Sequence, residues 1–424
     1  MKTPKTAPKS SSQNSNVFEN HDFSVRDFRL SRRRKFEISE IVRVAVAAVL
    51  AGAENFTEIA QFAKTREVEL RALFDLKGSV PSHDTFRRVL SLMSVRDLEA
   101  ALSALVSSQV DLDQFRHIAI DGKTICASGD QRRKPAHVVS AYLPEAGITI
   151  LQERVASKSF ELEALYRIVE RLPRMPKRII TIDALGCQVE LVRAIVNAGH
   201  DYVLSLKRNQ IKTFRKVEKA FSIYPWRPRR SDDVFDDWDE SHGRLVRRTT
   251  RAIRKFKFVE RKKWPKLQTI LSVNSIRTMR STGAMANEDR YFISSLGREK
   301  TAEEFAKLIR GHWGIENKLH WVLDVAYGED RSRLRCEKAA ENFSSLRKLS
   351  LNLIRTHPDE SVRAMSIASI RKRAAWDPEF LRLLFGIKRP SLKTEQKPRP
   401  PIVLHVADPF RELSMRRASL GYIQ

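Results

Sequence analysis

Apolar residues recur at helical spacing from Glu37 onward, where Ile38, Ile41, Val42, Val44, Ala45 and Val49 share one face and Gly52 ends the run. Asn55 or Thr57 offers a cap for a helix over Ile59 to Ala63. Pro81-Ser82-His83-Asp84 reads as a turn and cap before Phe86, Val89, Leu90 and Leu92. At Phe115 the period changes from helix to strand. His117 to Ile120 is a short apolar run ending at Asp121-Gly122-Lys123, and His137 to Leu143 and Ile148 to Val155 flank the turn Pro144 to Gly147. Glu161 to Leu172 returns to helical spacing and stops at Pro173. Arg178 to Ile182 is a strand ending at Asp183, Val189 to Ala198 a helix closed by Gly199, and Asp201 to Leu206 a strand ending at Lys207. The order from Phe115 to Lys207 is therefore β-β-β-α-β-α-β.

Residues 211 to 295 lose this regularity; they are charged, with β-rich pieces at Gln268 to Val273 and Tyr291 to Ser295, and read as an insertion. Thr301 with Glu304 forms a capping-box pattern that opens a helix reaching Tyr327, and helices continue through Ile354. The expected organisation is a basic disordered lead over 1–34, a helical N-terminal part over 35–112 and an α/β domain over 113–355. A helical extension with a basic, proline-rich tail follows over 356–424.

Charge changes the picture. Lys and Arg number 78 against 51 Asp and Glu, a net +27, which points to a polyanionic partner. Ten of those cations fall between Arg244 and Lys263 against one acid, Glu260, interleaved with Phe256, Phe258 and Trp264. The run reads either as a solvated strip or as a nucleic-acid surface, and the aromatics favour the second. No stretch reaches the roughly 18 apolar residues of a membrane span, and the N-terminus lacks a secretory core, so a cytoplasmic place is expected. Cys126, Cys187 and Cys336 lack metal-ligand spacing; Cys187 and Cys336 are expected to pack rather than react.

Three acids carry candidate chemistry. Asp121 and Asp183 each end a predicted strand, where an open α/β sheet presents its ligand edge, and Glu316 lies on the helix after the insertion. Three converging carboxylates suit two hard cations, magnesium or manganese, acting on a phosphodiester; taken singly, each Asp also fits an ordinary turn. His312, Glu316, His320 and Asp324 fall at four-residue intervals and share a helix face, readable as a solvated stripe or as the face of an active site. Zinc is disfavoured, because the two histidines are eight apart. Candidate DNA contacts are Lys123, Lys207, Asn209, Gln210, Arg244, Arg310, His312, Lys318, His320, Arg331 and Arg333.

At these residues a family resemblance enters. Ala119-Ile-Asp-Gly-Lys123, Thr181-Ile-Asp-Ala-Leu-Gly-Cys-Gln188, Asp201 to Gln210 and His312-Trp-Gly-Ile-Glu-Asn-Lys-Leu-His-Trp-Val-Leu-Asp324 resemble motifs of the DDE transposases of bacterial insertion sequences, of the H-repeat-associated type. Pro81 to Arg88 and the segments Glu329 to Arg333 and Asn342 to Asn352 extend the likeness over about residues 22–355. The resemblance implies a ribonuclease-H-like mixed sheet with a β-rich insertion, preceded by a small helical domain. It further implies Asp121, Asp183 and Glu316 as a triad holding two Mg2+ or Mn2+ ions, cleavage at terminal inverted repeats, strand transfer to target DNA, and a homo-oligomer holding both ends. A decayed or regulatory DNA-binding copy and a related nuclease are the alternatives. The chain departs from the family at Cys126, Phe160 and Val246, where Arg, Asn and Glu are expected, and it lacks the Lys that follows the Glu in related enzymes.

Overall fold

A computed structural model describes residues 27–387 apart from 31–33, 77, 108–109, 133, 173–175, 223–232, 242, 258 and 260–262. The lead before residue 27, Pro173, Phe258, Glu260 and the tail from 388 therefore lie outside the described residues.

Nine strands make one sheet: β1 (His117–Thr124), β2 (His137–Leu143), β3 (Ile148–Val155), β4 (Ile179–Ile182), β5 (Asp201–Leu206), β6 (Asp233–Ser241), β7 (Arg244–Ile253), β8 (Thr269–Met279) and β9 (Met285–Ser294). Their order is β3-β2-β1-β4-β5-β9-β8-β7-β6. β1, β4 and β5 run parallel, and β2 and β3 are antiparallel beside β1. This is the ribonuclease-H-like arrangement that the sequence led us to expect. Parallel strands covered on both faces need near-continuous apolar runs, which His117 to Ile120, Ile179 to Ile182 and Tyr202 to Leu204 supply.

The insertion is more regular than its sequence suggests. After helix α8 (Ile211–Ser222) its four long strands form an antiparallel meander that extends the same sheet, with β9 pairing β5 from Val203↔Ser294 to Leu206↔Tyr291. Read alone, β7 is a basic run. Its partner β6 contributes Asp236, Asp237 and Asp239 opposite Thr249, Arg248 and Val246, so complementary charge across the pair carries the regularity that neither strand shows by itself. Phe256 and Trp264, taken from sequence as aromatic contacts for nucleic acid, are instead buried, and the Trp264 indole donates to Thr213 Oγ1 of α8 at 3.3 Å.

Helices α1 (Ile38–Leu50), α2 (Phe56–Thr65), α3 (Glu67–Phe74), α4 (His83–Leu92) and α5 (Val95–Ser107) precede the sheet, and α6 (Glu161–Arg171) and α7 (Val189–Asn197) connect its parallel strands. Asn55 caps α2 by accepting from the Glu58 N–H. After the sheet come α9 (Ala302–His312), opened by the expected Thr301–Glu304 capping box, a π-turn (Ile315–His320) and α10 (Trp321–Val325). Then follow α11 (Glu337–Arg355), α12 (Glu360–Ala364), α13 (Ile367–Trp376) and α14 (Pro378–Leu384). α11 joins the N-terminal helices to the sheet. Phe343 meets Phe56 edge-on at 5.7 Å, the Asn342 amide donates to Leu90 O and Met93 O, and Asn352 exchanges hydrogen bonds with the Thr149 backbone on β3. The helices and sheet thus share one continuous apolar core. No helix among the described residues is long and apolar enough to cross a membrane.

Candidate active site

The parallel register sets the first two carboxylates. Ile120 of β1 lies opposite Ile182 of β4, so Asp121 and Asp183, each the next residue, come side by side, about 4.8 Å from strand to strand. Asp183 follows the end of β4, but Asp121, expected to end its strand, lies inside β1, which runs on to Thr124 because Asp121 to Thr124 pair with β2. Asp183 caps the turn after β4 by accepting from the Leu185 N–H at 2.9 Å. That turn is tight enough that a Cβ on Gly186 would meet Ile182 Cγ2 at 2.4 Å.

Glu316 comes from the π-turn, and the stripe around it faces the sheet rather than solvent. His312 Nδ1 and His117 Nε2 share Thr181 Oγ1 at 3.1 and 2.8 Å, His320 Nδ1 lies 3.6 Å from Asp121 Oδ2, and the Asp324 carboxylate lies 2.6 Å from Lys123 Nζ. Glu316 itself opens outward between these contacts. Burial holds the imidazoles neutral, helped at His320 by the nearby Lys348 and Lys123 ammoniums, with His117 and His320 brought down to about 3 and His312 to about 4.

The carboxylates move the other way. Burial, with repulsion from Asp183, Glu161 and Glu316, pushes Asp121 up to about 7. Asp183 is raised by burial and by Glu161, and Glu316 by burial and by Asp183; the Lys207 ammonium opposes both shifts, and Arg290 opposes the second. Like charges are gathered here in partial burial, and Lys207 and Arg290 offset them only in part. The donors are all hard oxygens, which fits a divalent ion such as magnesium or manganese. As they stand, no three His, Cys, Asp or Glu side chains among the described residues converge closely enough to grip one.

The remaining candidates divide. Lys207 stays exposed beside the acids, and Arg244, Lys318 and Arg333 are exposed as well. Arg331 is exposed, 3.5 Å from Glu54. Asn209 and Gln210 are engaged within the fold, donating to Ala184 O at 2.6 Å and Gln188 Oε1 at 3.1 Å, and so tie the turn after β5 to the turn after β4. Arg310 pairs with Asp237 and Asp239 of β6 at 2.6 and 3.3 Å. Lys123 is enclosed by Asp324, Glu329 and Asp330. Cys187 packs, its thiol pushed up to about 12 by burial, whereas Cys336 is exposed at the N-cap of α11.

Sequence reasoning missed Glu161 and His137. This buried pair, 3.1 Å apart, lies against Gly122, where a Cβ would meet His137 Nε2 at 2.4 Å and Glu161 Oε1 at 2.8 Å. A charged residue in the first turn of an amphipathic helix carries no signal of burial. It also missed Arg290, whose guanidinium lies 4.7 Å over the Trp313 ring. Both line a cavity of about 560 Å³ beside Glu316, together with Arg248, Arg277, Arg310 and Lys318.

The fold is a mixed α/β sheet with two aspartates side by side on neighbouring parallel strands, and comparison with known proteins gives its class, a DNA transposase. The transposase DDE domain matches residues 113–353, and the DDE-associated domain matches residues 22–106. YncI of Escherichia coli O157:H7 is 36% identical over 344 residues, covering 79% of this chain and 86% of that protein. The H repeat-associated protein YhhI of Escherichia coli K12 is 30% identical over 371 residues, covering 85% and 95%. Both bear transposase in their names. The chain therefore belongs to the DDE transposase family, and its function is that of an insertion-sequence transposase. A solved piggyBac transposase synaptic complex with hairpin DNA overlaps at TM-score 0.38 and 10% identity over 86% of this chain and 77% of that one, too slight a likeness to carry an argument.

Proposed function

We propose that Asp121, Asp183 and Glu316 are the catalytic triad, and that the protein cuts DNA at the terminal inverted repeats of its element and joins the freed 3′ ends to target DNA. The observation that carries this reading is the Ile120↔Ile182 register, which sets the two aspartates side by side, with the Glu316 segment held to the same two strands through His312 and His320. Asp121 and Asp183 would hold one divalent ion, magnesium or manganese, and Glu316 would complete the site for a second. When bound, such ions lower the pKa of an attacking oxygen and stabilise the departing one. The protein's own groups orient the strand. Lys207 and Arg290 place cations beside Glu316, suited to scissile-strand phosphates, and the neutral imidazoles of His312 and His320 hold the Glu316 segment to the sheet without adding charge. The helical part over 35–112 and the exposed cations Arg244, Lys318, Arg331 and Arg333 would bind DNA in the bacterial cytoplasm, with a homo-oligomer bringing two ends together.

The test is a supercoiled plasmid carrying the flanking ends of the reading frame, incubated with Mg2+ or Mn2+ and either the wild type or Glu316→Gln. Cuts at the repeat ends are expected from the wild type alone, with both proteins shifting the end DNA equally. A folded wild type that shifts this DNA and cuts nothing overturns the reading.

A further inference from the structure

Lys123 stands two residues beyond Asp121 on β1, so strand periodicity gives the two the same side of the sheet. A free cation there would be a ready phosphate contact. Its ammonium is instead 2.6 Å from Asp324, 3.0 Å from Asp330 and 3.7 Å from Glu329, and the side chain is only 10% exposed. Asp330 also accepts from the Cys126 N–H at 3.2 Å, and Glu329 lies 3.6 Å from the buried guanidinium of Arg347 on α11. One ammonium among three carboxylates repels an approaching phosphate more than it invites one.

The partners say what the lysine does. Asp324 lies eight residues after Glu316, on α10 at the far end of the π-turn. At the near end, His312 is fastened to Thr181, two residues before Asp183 on β4. The segment bearing the third carboxylate is thus fixed at both ends to the two strands bearing the first two carboxylates, in each case through a residue two positions from the aspartate. The Glu316 segment is a single π-helical turn, a form found mostly within helices and frequently at functional sites, and these side-chain contacts hold it at both ends.

We propose that Lys123 is a positioning residue of the transposition site, an internal clamp closing the Glu316 segment onto the strand of Asp121, and not a DNA contact. The proposal rests on the triad reading given above. Removing the ammonium leaves Asp324, Glu329 and Asp330 repelling one another at the hinge of that segment, and the third carboxylate loses its register with the first two.

Lys123→Met, Lys123→Arg and the wild type are compared by four measurements: end-DNA affinity in EDTA, cleavage rate at saturating DNA, Mn2+ uptake followed by the free-ion electron spin resonance signal, and amide exchange across residues 313–325. Lys123→Met is expected to bind DNA within about twofold of the wild type, to cut at least about tenfold more slowly at saturation, and to need about tenfold more Mn2+, as losses of supporting partners around metal sites do. Its exchange across 313–325 is expected to quicken, and Lys123→Arg, which keeps the cation, is expected to restore most of each property. Should Lys123→Met fail to fold, Asp324→Asn breaks the same clamp while leaving Lys123 its other two partners, with the same results expected. A Lys123→Met protein whose DNA affinity falls about tenfold while its saturated rate and Mn2+ uptake hold makes Lys123 a phosphate contact and overturns the proposal. So does a variant with no change in any of the four. A wild type that neither takes up Mn2+ nor cuts overturns the triad itself, a result separable from the other two because it appears without any substitution.

Discussion

Asp121 gives the sharpest test of the electrostatics. Its pKa is lifted from the ordinary 3.8 to about 7, first by burial and then by the neighbouring carboxylates. An interval of about three pH units, at about 1.4 kcal/mol each, makes the ionised form about 4 kcal/mol unfavourable in the folded protein without metal. Because the folded state holds the proton longer than the unfolded chain, the group's stability is intact below about pH 4. It is lost as pH rises through about 7, and is level above that. Asp121→Asn keeps the shape and removes the titration. The variant's advantage over the wild type should therefore widen by about 2–3 kcal/mol between pH 5 and pH 8, the part of the interval lying in that window. For a chain of 424 residues, with an unfolding entropy near 2 cal/mol/K per residue, that is about 2–3 °C in melting temperature. Differential scanning calorimetry in EDTA at the two pH values measures it. With millimolar Mn2+ at pH 8 the order should reverse, since only the wild type keeps the full set of carboxylates to bind the ion and gain stability from it. An equal gap at pH 5 and pH 8 would show that Asp121 ionises as freely as in water, and the account of crowded, buried carboxylates would fail.

Two further outcomes follow from the neighbourhood. Gly122→Ala sets a Cβ 2.4 Å from His137 Nε2 and 2.8 Å from Glu161 Oε1; overpacking of this kind costs about 1–3 kcal/mol, which urea denaturation would register, and a variant as stable as the wild type would mean that the buried pair yields freely. In the insertion, Asp237→Asn combined with Asp239→Asn releases Arg248 and Arg310 from their acidic partners. Nonspecific DNA should then bind more tightly, with the log–log salt slope steeper by about one to two; an unchanged slope in fluorescence anisotropy titrations would mean that these arginines do not meet DNA.

Much of the α/β core could be read from local pattern, because its determinants are local. Each parallel strand is a short apolar run bounded by a polar residue, and each covering helix shows its period within a dozen residues. The insertion resisted because its determinants are not local. β6 and β7 are acidic and basic strands whose charges cancel only when paired, as Arg247 with Asp236 and Arg248 with Asp237 and Asp239 show. Counted as a run in sequence, the cations of β7 look like a surface awaiting a polyanion. Placed in the sheet, several already have partners. The same holds at Arg310, where a helix-face cation meets an acid 73 residues earlier in the chain.

The site divides along the same line. A carboxylate at the end of an apolar strand announces itself, and so does a four-residue stripe on a helix, which is why Asp121, Asp183 and Glu316 could be singled out without coordinates. The roles of the residues around them could not, since those depend on which way a side chain turns at the junction. His312 and Lys123 both looked like groups for phosphate. One is desolvated and bound to a threonine beneath the acids, and the other is surrounded by carboxylates. In both cases the polar group is turned inward to hold the Glu316 segment, while Lys207, just past the end of β5, stays exposed beside the acids. A chain of net charge +27 thus keeps several of the cations nearest its proposed triad for its own architecture. The affinity for DNA must then come chiefly from exposed cations farther out, and a salt titration of Lys207→Ala should separate that outer contribution from any phosphate contact made at the triad itself.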